Sequence, residues 1–133
     1  MNQDEKKLAE KLRKALAPHG HFQRIEPFND KGIPDVNYCN RYGEEFWLEL
    51  KAAANKNLSV RIGKEQFAWG QKRAALGGKV RVVAGLRDDP SFVVVHRFPF
   101  LKDEVRVGSA GIVVKSIGRP YDALPIKNLP DIL

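Results

Sequence analysis

The stretch from Gly32 to Lys51 constrains this chain more than any other. Pro34 fixes its own φ and biases Ile33 towards an extended conformation, so Asp35 enters a strand from a stiff lead-in. Residues 36–39 and 45–51 read as two strands joined by the turn-forming run Asn40-Arg41-Tyr42-Gly43. Side chains alternate across a strand with a period of two. Val36, Tyr38, Phe46, Leu48 and Leu50 therefore share an apolar face, and Asp35, Asn37, Trp47, Glu49 and Lys51 share the other. A turn centred near Tyr42 sets Asp35 roughly opposite Glu49, where cross-strand Cβ atoms are about 4.5–5.5 Å apart. Two carboxylates so placed repel each other unless a counter-charge intervenes. A hard divalent cation supplies one: Mg²⁺ takes one or two carboxylates plus water and phosphate oxygens. Such an ion activates a water and offsets charge on a phosphoryl group, and Lys51 adds a mobile positive charge beside it. The simpler reading is a surface hairpin with an ordinary Glu49–Lys51 pair; Pro34-Asp35 upstream, the matched parity and the apolar opposite face favour the site.

The order Gly32-Ile33-Pro34-Asp35, then Leu48-Glu49-Leu50-Lys51, then Leu58-Ser59, Gln66 and Gly78 before an apolar strand resembles the PD-(D/E)xK nuclease superfamily. Within it the run is similar to the virus-type replication-repair nuclease (VRR-NUC) branch and to the archaeal Holliday-junction resolvases, over about residues 5–95. The resemblance implies an α/β, restriction-endonuclease-like α-β-β-β-α-β core with a central mixed sheet. It also implies phosphodiester hydrolysis dependent on Mg²⁺ or Mn²⁺, leaving a 5′-phosphate. By matching position, Asp35 and Glu49 become metal ligands, Leu50 offers its backbone carbonyl to the metal, Lys51 is catalytic, and Gln66 points into the site to position water or phosphate. A glutamate of the first helix commonly completes the metal site in these families.

Residues 3–17 carry the periodicity of a helix, with Leu8, Leu12, Ala15 and Leu16 on one stripe. Glu5 falls on that stripe, where a carboxylate needs a partner or a metal. It is the candidate third metal ligand, with Asp4 and Glu10 as alternatives. Residues 21–27 form a first strand that places Arg24 towards the site. A connection over 52–59 exposes Lys56, which reads equally as a phosphate contact or a plain surface lysine. A second helix is predicted within 59–76. Gln66 and Arg73 nearly superimpose on it, and Lys64 and Arg73 are candidate phosphate contacts. Trp47 and Trp69 could stack on bases, although packing is the stronger reading for Trp69.

Strands follow at 79–85 and 92–96, with His96 read as a structural hydrogen-bonding residue rather than a general base. Beyond them the resemblance fades. Phe98, Pro99 and Phe100 read as an exposed apolar patch. Residues 105–107 and 112–117 pair as a hairpin through Gly108-Ser109-Ala110-Gly111. The stretch 120–133 is read as an extended surface tail, able to serve as a dimer arm, partner contact or substrate clamp. The expected organisation is a nuclease core over 1–96 and an extension over 97–133 packed on the same domain.

The net charge of +7 favours an anionic partner, and beside a carboxylate site that partner is nucleic acid. No apolar run reaches the roughly 18 residues that span a bilayer, and the charged N-terminus has no signal-peptide core. Cys39 is the one cysteine, so no internal disulfide forms, which fits an intracellular protein of a microbial or virus-infected cell. No Walker A loop, zinc-binding set or serine- or cysteine-hydrolase set is present. The leading expectation is an endonuclease acting on branched DNA, working as a homodimer because a four-way junction needs paired cuts. Protein partners in replication or recombination could dock on the C-terminal segment. The rivals are a nicking or restriction-type nuclease, an exonuclease, and a non-catalytic nucleic-acid-binding module of the same fold.

Overall fold

Asn2 starts the first helix, α1 (Gln3–Leu16), by accepting the Glu5 amide at 2.8 Å, while the Glu5 carboxylate accepts the Asn2 amide at 3.1 Å. Such a cap is worth about 1 kcal/mol. Burial of Leu8, Leu12 and Leu16 contributes roughly 1.5–3 kcal/mol each, so packing rather than capping holds the helix in place. The computed structural model describes residues 1–25, 32–55, 57–115 and 123–133. Pro18 ends α1 in a 3-10 turn at Ala17–His19. Strand β1 (Gly20–Arg24) follows, starting one residue earlier than expected; residues 26 and 27 of the expected strand lie outside the described residues. Its continuation is set by the Ile25 amide, which donates to the Asp35 carbonyl at 2.8 Å.

The hairpin forms as expected from β2 (Val36–Asn40) and β3 (Glu45–Lys51), with Val36 opposite Leu48 and Tyr38 opposite Phe46. Gly43 takes φ +79° in the turn, where a Cβ would be strained. The stretch before the second helix differs from the expectation. Val60–Ile62 is a strand, β4, and the helix α2 starts only at Lys64 and runs to Ala75. Val60 and Ile62 are buried while Arg61 is exposed, and Gly63 stays extended. A β-branched pair with a waiting partner strand overrides the helical reading.

Strands β5 (Lys79–Gly85) and β6 (Phe92–Arg97) complete the central sheet with the short β9 (Leu124–Pro125), in the order β1-β2-β3-β5-β6-β9. The β3–β5 pair is parallel, spanned by the α2 crossover, and the other pairings are antiparallel. The predicted second hairpin is present as β7 (Val105–Gly108) and β8 (Gly111–Val114), which join β4 in a small sheet of order β4-β8-β7. This is the α-β-β-β-α-β mixed-sheet architecture expected, with the C-terminal hairpin added.

The central sheet is covered on both faces. One face packs α1 against Val36, Tyr38, Phe46, Leu48, Leu50, Val83, Val93 and Val95. The other gathers Val80, Val82, Ala84 and Val94 with the small sheet and residues of α2. Two expectations are corrected here. Phe98 and Phe100 are buried, not an exposed patch. Gly70 makes the room: a Cβ there would lie 2.5 Å from the Phe98 ring. The last segment is not a surface tail either, since Leu124, Ile126, Leu129 and Leu133 enter the α1-side core through β9 and a 3-10 turn at Ile126–Asp131. Its apolar residues fill a gap beside α1 that a two-face reading of the sheet leaves open. Residues 116–122, including the start of that proposed tail, lie outside the described residues.

Candidate active site

The β2–β3 register, continued by one residue, sets Asp35 against Glu49. Asp35 is then locked by a hydrogen bond from the Leu50 amide to its Oδ2 at 2.9 Å. The lead-in is fixed by close packing. Gly32 is buried on α2, where a Cβ would come within 2.7 Å of the Glu65 carbonyl and 3.1 Å of Trp69 Cβ. Glycine is therefore required for the loop to lie flush on the helix and deliver Asp35.

Glu49 is only 3% exposed. Its Oε1 accepts from Gln66 Nε2 at 2.8 Å, and Gln66 Oε1 accepts the Gly63 amide at 2.8 Å. Gln66 thus caps α2 and orients Glu49 with a single amide. Lys51 Nζ lies 3.9 Å from Glu49 Oε1. Glu49 Oε2 is buried and has no hydrogen-bond partner. Burial, and then the negative charge of Asp35, push the Glu49 carboxyl up to about 9, and the nearby Lys51 only partly offsets this. A carboxylate held so far from its ordinary range, with one oxygen unsatisfied and a second carboxylate adjacent, fits a divalent cation in chemistry. Among the described residues no group of three His, Cys, Asp or Glu side chains comes together. A pair suffices for Mg²⁺ or Mn²⁺, whose remaining positions go to water and phosphate.

The other anticipated residues divide. Glu5 is tied into the α1 cap through Oε1, yet it lies near enough for its charge to raise the Glu49 carboxyl. Glu10 pairs with Arg13 at 2.6 Å on the outer face of α1. Asp4 lines a separate cavity with Lys7, Lys11 and Arg87. Leu50 meets the site through its amide; its carbonyl role remains what the resemblance implies. Arg24 ends β1 exposed and opposite Val36, so its side chain leaves the sheet on the α1 side, near enough to Glu10 for its charge to be felt there, and not on the face that carries Asp35 and Glu49. Lys64 is exposed at the first turn of α2. Arg73 is exposed and lies over Trp69 and Trp47 at 4.5 and 5.4 Å from the ring centroids, while the two tryptophans pack edge-on at 5.4 Å. Lys56 lies outside the described residues. His96 is fully buried and its Nε2 bonds the Leu58 carbonyl at 2.8 Å, a structural contact.

Two features escaped the sequence reading. Gln66 bridges Glu49 and the Gly63 amide. Asn37 is 8% exposed and its Nδ2 is buried without a partner. Its parity with Asp35 was the available signal.

No family model and no curated protein matches the sequence. The fold does match solved structures. One is described as a VRR_NUC domain, with a TM-score of 0.55 and 16% identity over 65% of this chain and 89% of that one. Another is Hjc of Archaeoglobus fulgidus, a Holliday junction resolvase from an archaeal hyperthermophile, with a TM-score of 0.59 and 14% identity over 97% of both chains. The chain therefore shares the restriction-endonuclease-like mixed α/β fold of these structures. Among the described residues, no helix is long and apolar enough to cross a membrane.

Proposed function

We propose that this chain is a metal-dependent endonuclease that hydrolyses phosphodiester bonds in branched DNA, in the manner of a junction resolvase. The observation that carries the reading is the buried Glu49 beside Asp35, with its Oε2 unpartnered and its Oε1 3.9 Å from Lys51 Nζ. Asp35 and Glu49 would hold Mg²⁺ or Mn²⁺, and the ion would supply Lewis acidity for the phosphoryl oxygens and lower the pKa of a water. The Leu50 amide keeps Asp35 from swinging away. Gln66 fixes Glu49 by Oε1 and leaves Oε2 facing the site. Lys51, tethered beside Glu49, donates to a non-bridging oxygen and stabilises the charge that builds as water attacks phosphorus. The attacking water gives up a proton to solvent, the bond from phosphorus to the 3′-oxygen breaks, and that oxygen takes a proton from a water, giving a 5′-phosphate and a 3′-hydroxyl. Glu5 would be a third ligand on leaving its cap on Asn2. Arg24, Lys56, Lys64 and Arg73 contact the backbone of the bound DNA. Because a four-way junction needs two cuts, the working form is a homodimer, acting inside the cell on replication or recombination intermediates. A partner protein from the same processes docks on residues 97–133.

The test is cleavage of a labelled four-way junction beside matched linear duplex and single strand, in Mg²⁺, Mn²⁺ and EDTA. Asp35→Asn and Lys51→Ala run in parallel. Symmetric metal-dependent junction cuts, lost in both variants, are expected. Equal cutting of every substrate sinks the junction preference. Metal-independent binding with no cutting replaces the nuclease by a binding module.

A further inference from the structure

Two buried side-chain atoms are unpartnered among the described residues, and they lie on one face of one hairpin: Glu49 Oε2 and Asn37 Nδ2. The first belongs to the site already described. The second has no role in it. We propose that Asn37 is a substrate-binding residue of the same site, its amide donating to a non-bridging oxygen of the DNA strand being cut. The proposal rests on the nuclease reading and extends it.

Position carries the argument. Asn37 follows Asp35 by two residues on β2, so both side chains leave the sheet on the same side. Asn37 is opposite Trp47, which is two residues before Glu49. It is therefore diagonal to Glu49, at about 7–8 Å, a gap that two polar side chains and a phosphoryl oxygen fill. At this point Trp47, opposite Asn37, packs edge-on against Trp69, and Gln23 lies opposite Asn37 on the other neighbouring strand. A hydrophobic residue would pack there, while a buried amide with an unmet donor destabilises the fold. Chemistry selects the ligand class. Beside two carboxylates, a second cationic side chain would pair with Glu49, as Lys51 does. A neutral amide can donate to an anionic oxygen without that competing attraction. Lys51 then approaches the phosphodiester from one side of the carboxylate pair and Asn37 from the other.

The experiment compares Asn37→Leu and Asn37→Ala with the wild type in three readouts: urea midpoint in EDTA, the Mn²⁺ dissociation constant from thermal shifts, and single-turnover cleavage against protein concentration. Leu is close to Asn in size, and Ala cannot clash. The expected result is a midpoint equal to or above the wild type, an unchanged Mn²⁺ constant, and a loss of cleavage efficiency of about tenfold or more, as for a lost hydrogen bond to a charged group. Wild-type cleavage by both variants overturns the assignment and leaves the nuclease reading intact. Weaker Mn²⁺ binding in both overturns it in favour of the amide oxygen as a metal ligand. A lower midpoint in both makes Asn37 a structural residue. A wild type that cleaves nothing removes the nuclease reading, and this proposal with it.

Discussion

Replacing Glu49 by Gln should stabilise the metal-free protein while abolishing its cleavage. Burial and Asp35 hold the Glu49 carboxyl up to about 9 in the folded chain, against 4.5 for the ordinary group. Between those values the folded chain keeps the proton and the unfolded chain releases it. The folded state therefore binds more protons, and stability falls as pH rises through that window. At about 1.4 kcal/mol per pH unit, this one carboxyl removes roughly 4 kcal/mol between pH 4.5 and 7.5. That is a large share of the ~5–15 kcal/mol by which domains are stable. Glu49→Gln keeps the shape, still accepts from Gln66 Nε2, and turns its own amide towards Asp35. Its stability should be flat across the window. Urea denaturation in EDTA at pH 5 and pH 7.5 reads the difference, with equal slopes required so that midpoints report stability. The variant is expected to be more stable by a few kcal/mol at pH 7.5 and nearly equal to the wild type at pH 5. A variant no more stable at pH 7.5, or a gap that persists at pH 5, would refute the strained carboxylate pair.

Three further outcomes follow from the same geometry. Mg²⁺ or Mn²⁺ should raise the Tm of the wild type in proportion to the logarithm of its concentration, by linkage to the folded state, and leave Asp35→Asn and Glu49→Gln unmoved; equal shifts in all three place the ion elsewhere. Gln66→Leu removes both the Gly63 cap and the Glu49 bond, so a loss of about 1–3 kcal/mol in urea denaturation should accompany weaker metal binding; a variant with wild-type metal affinity denies Gln66 its orienting role. Leu129→Ala, at a fully buried position beneath α1, should cost about 2–5 kcal/mol, whereas a change under ~0.5 kcal/mol would return the C-terminal segment to the surface.

Much of the site was legible because it is local. The hairpin joins residues close in sequence, so the two-residue period and a turn at Asn40–Gly43 suffice to face Asp35 with Glu49 and Lys51. The same periodicity gave the α1 stripe, and β-branched runs gave β5 and β6. Where the pattern was short it misled. Val60–Ile62 is too brief to show a period, and its strand state depends on β8, about fifty residues later.

What the sequence determined by itself is which residues share a face, because that follows from backbone geometry alone. What only the tertiary structure decided is which atoms are satisfied. Gln66 reaches Glu49 because the α2 crossover lays the helix over the hairpin. Phe98, Phe100 and Leu129 are core residues because distant segments leave apolar gaps of the right shape. The Oε2 of Glu49 and the amide of Asn37 lack partners because the packing on their face of the hairpin buries them. Burial and hydrogen bonding are sums over neighbours far apart in the chain, and no local pattern encodes such a sum.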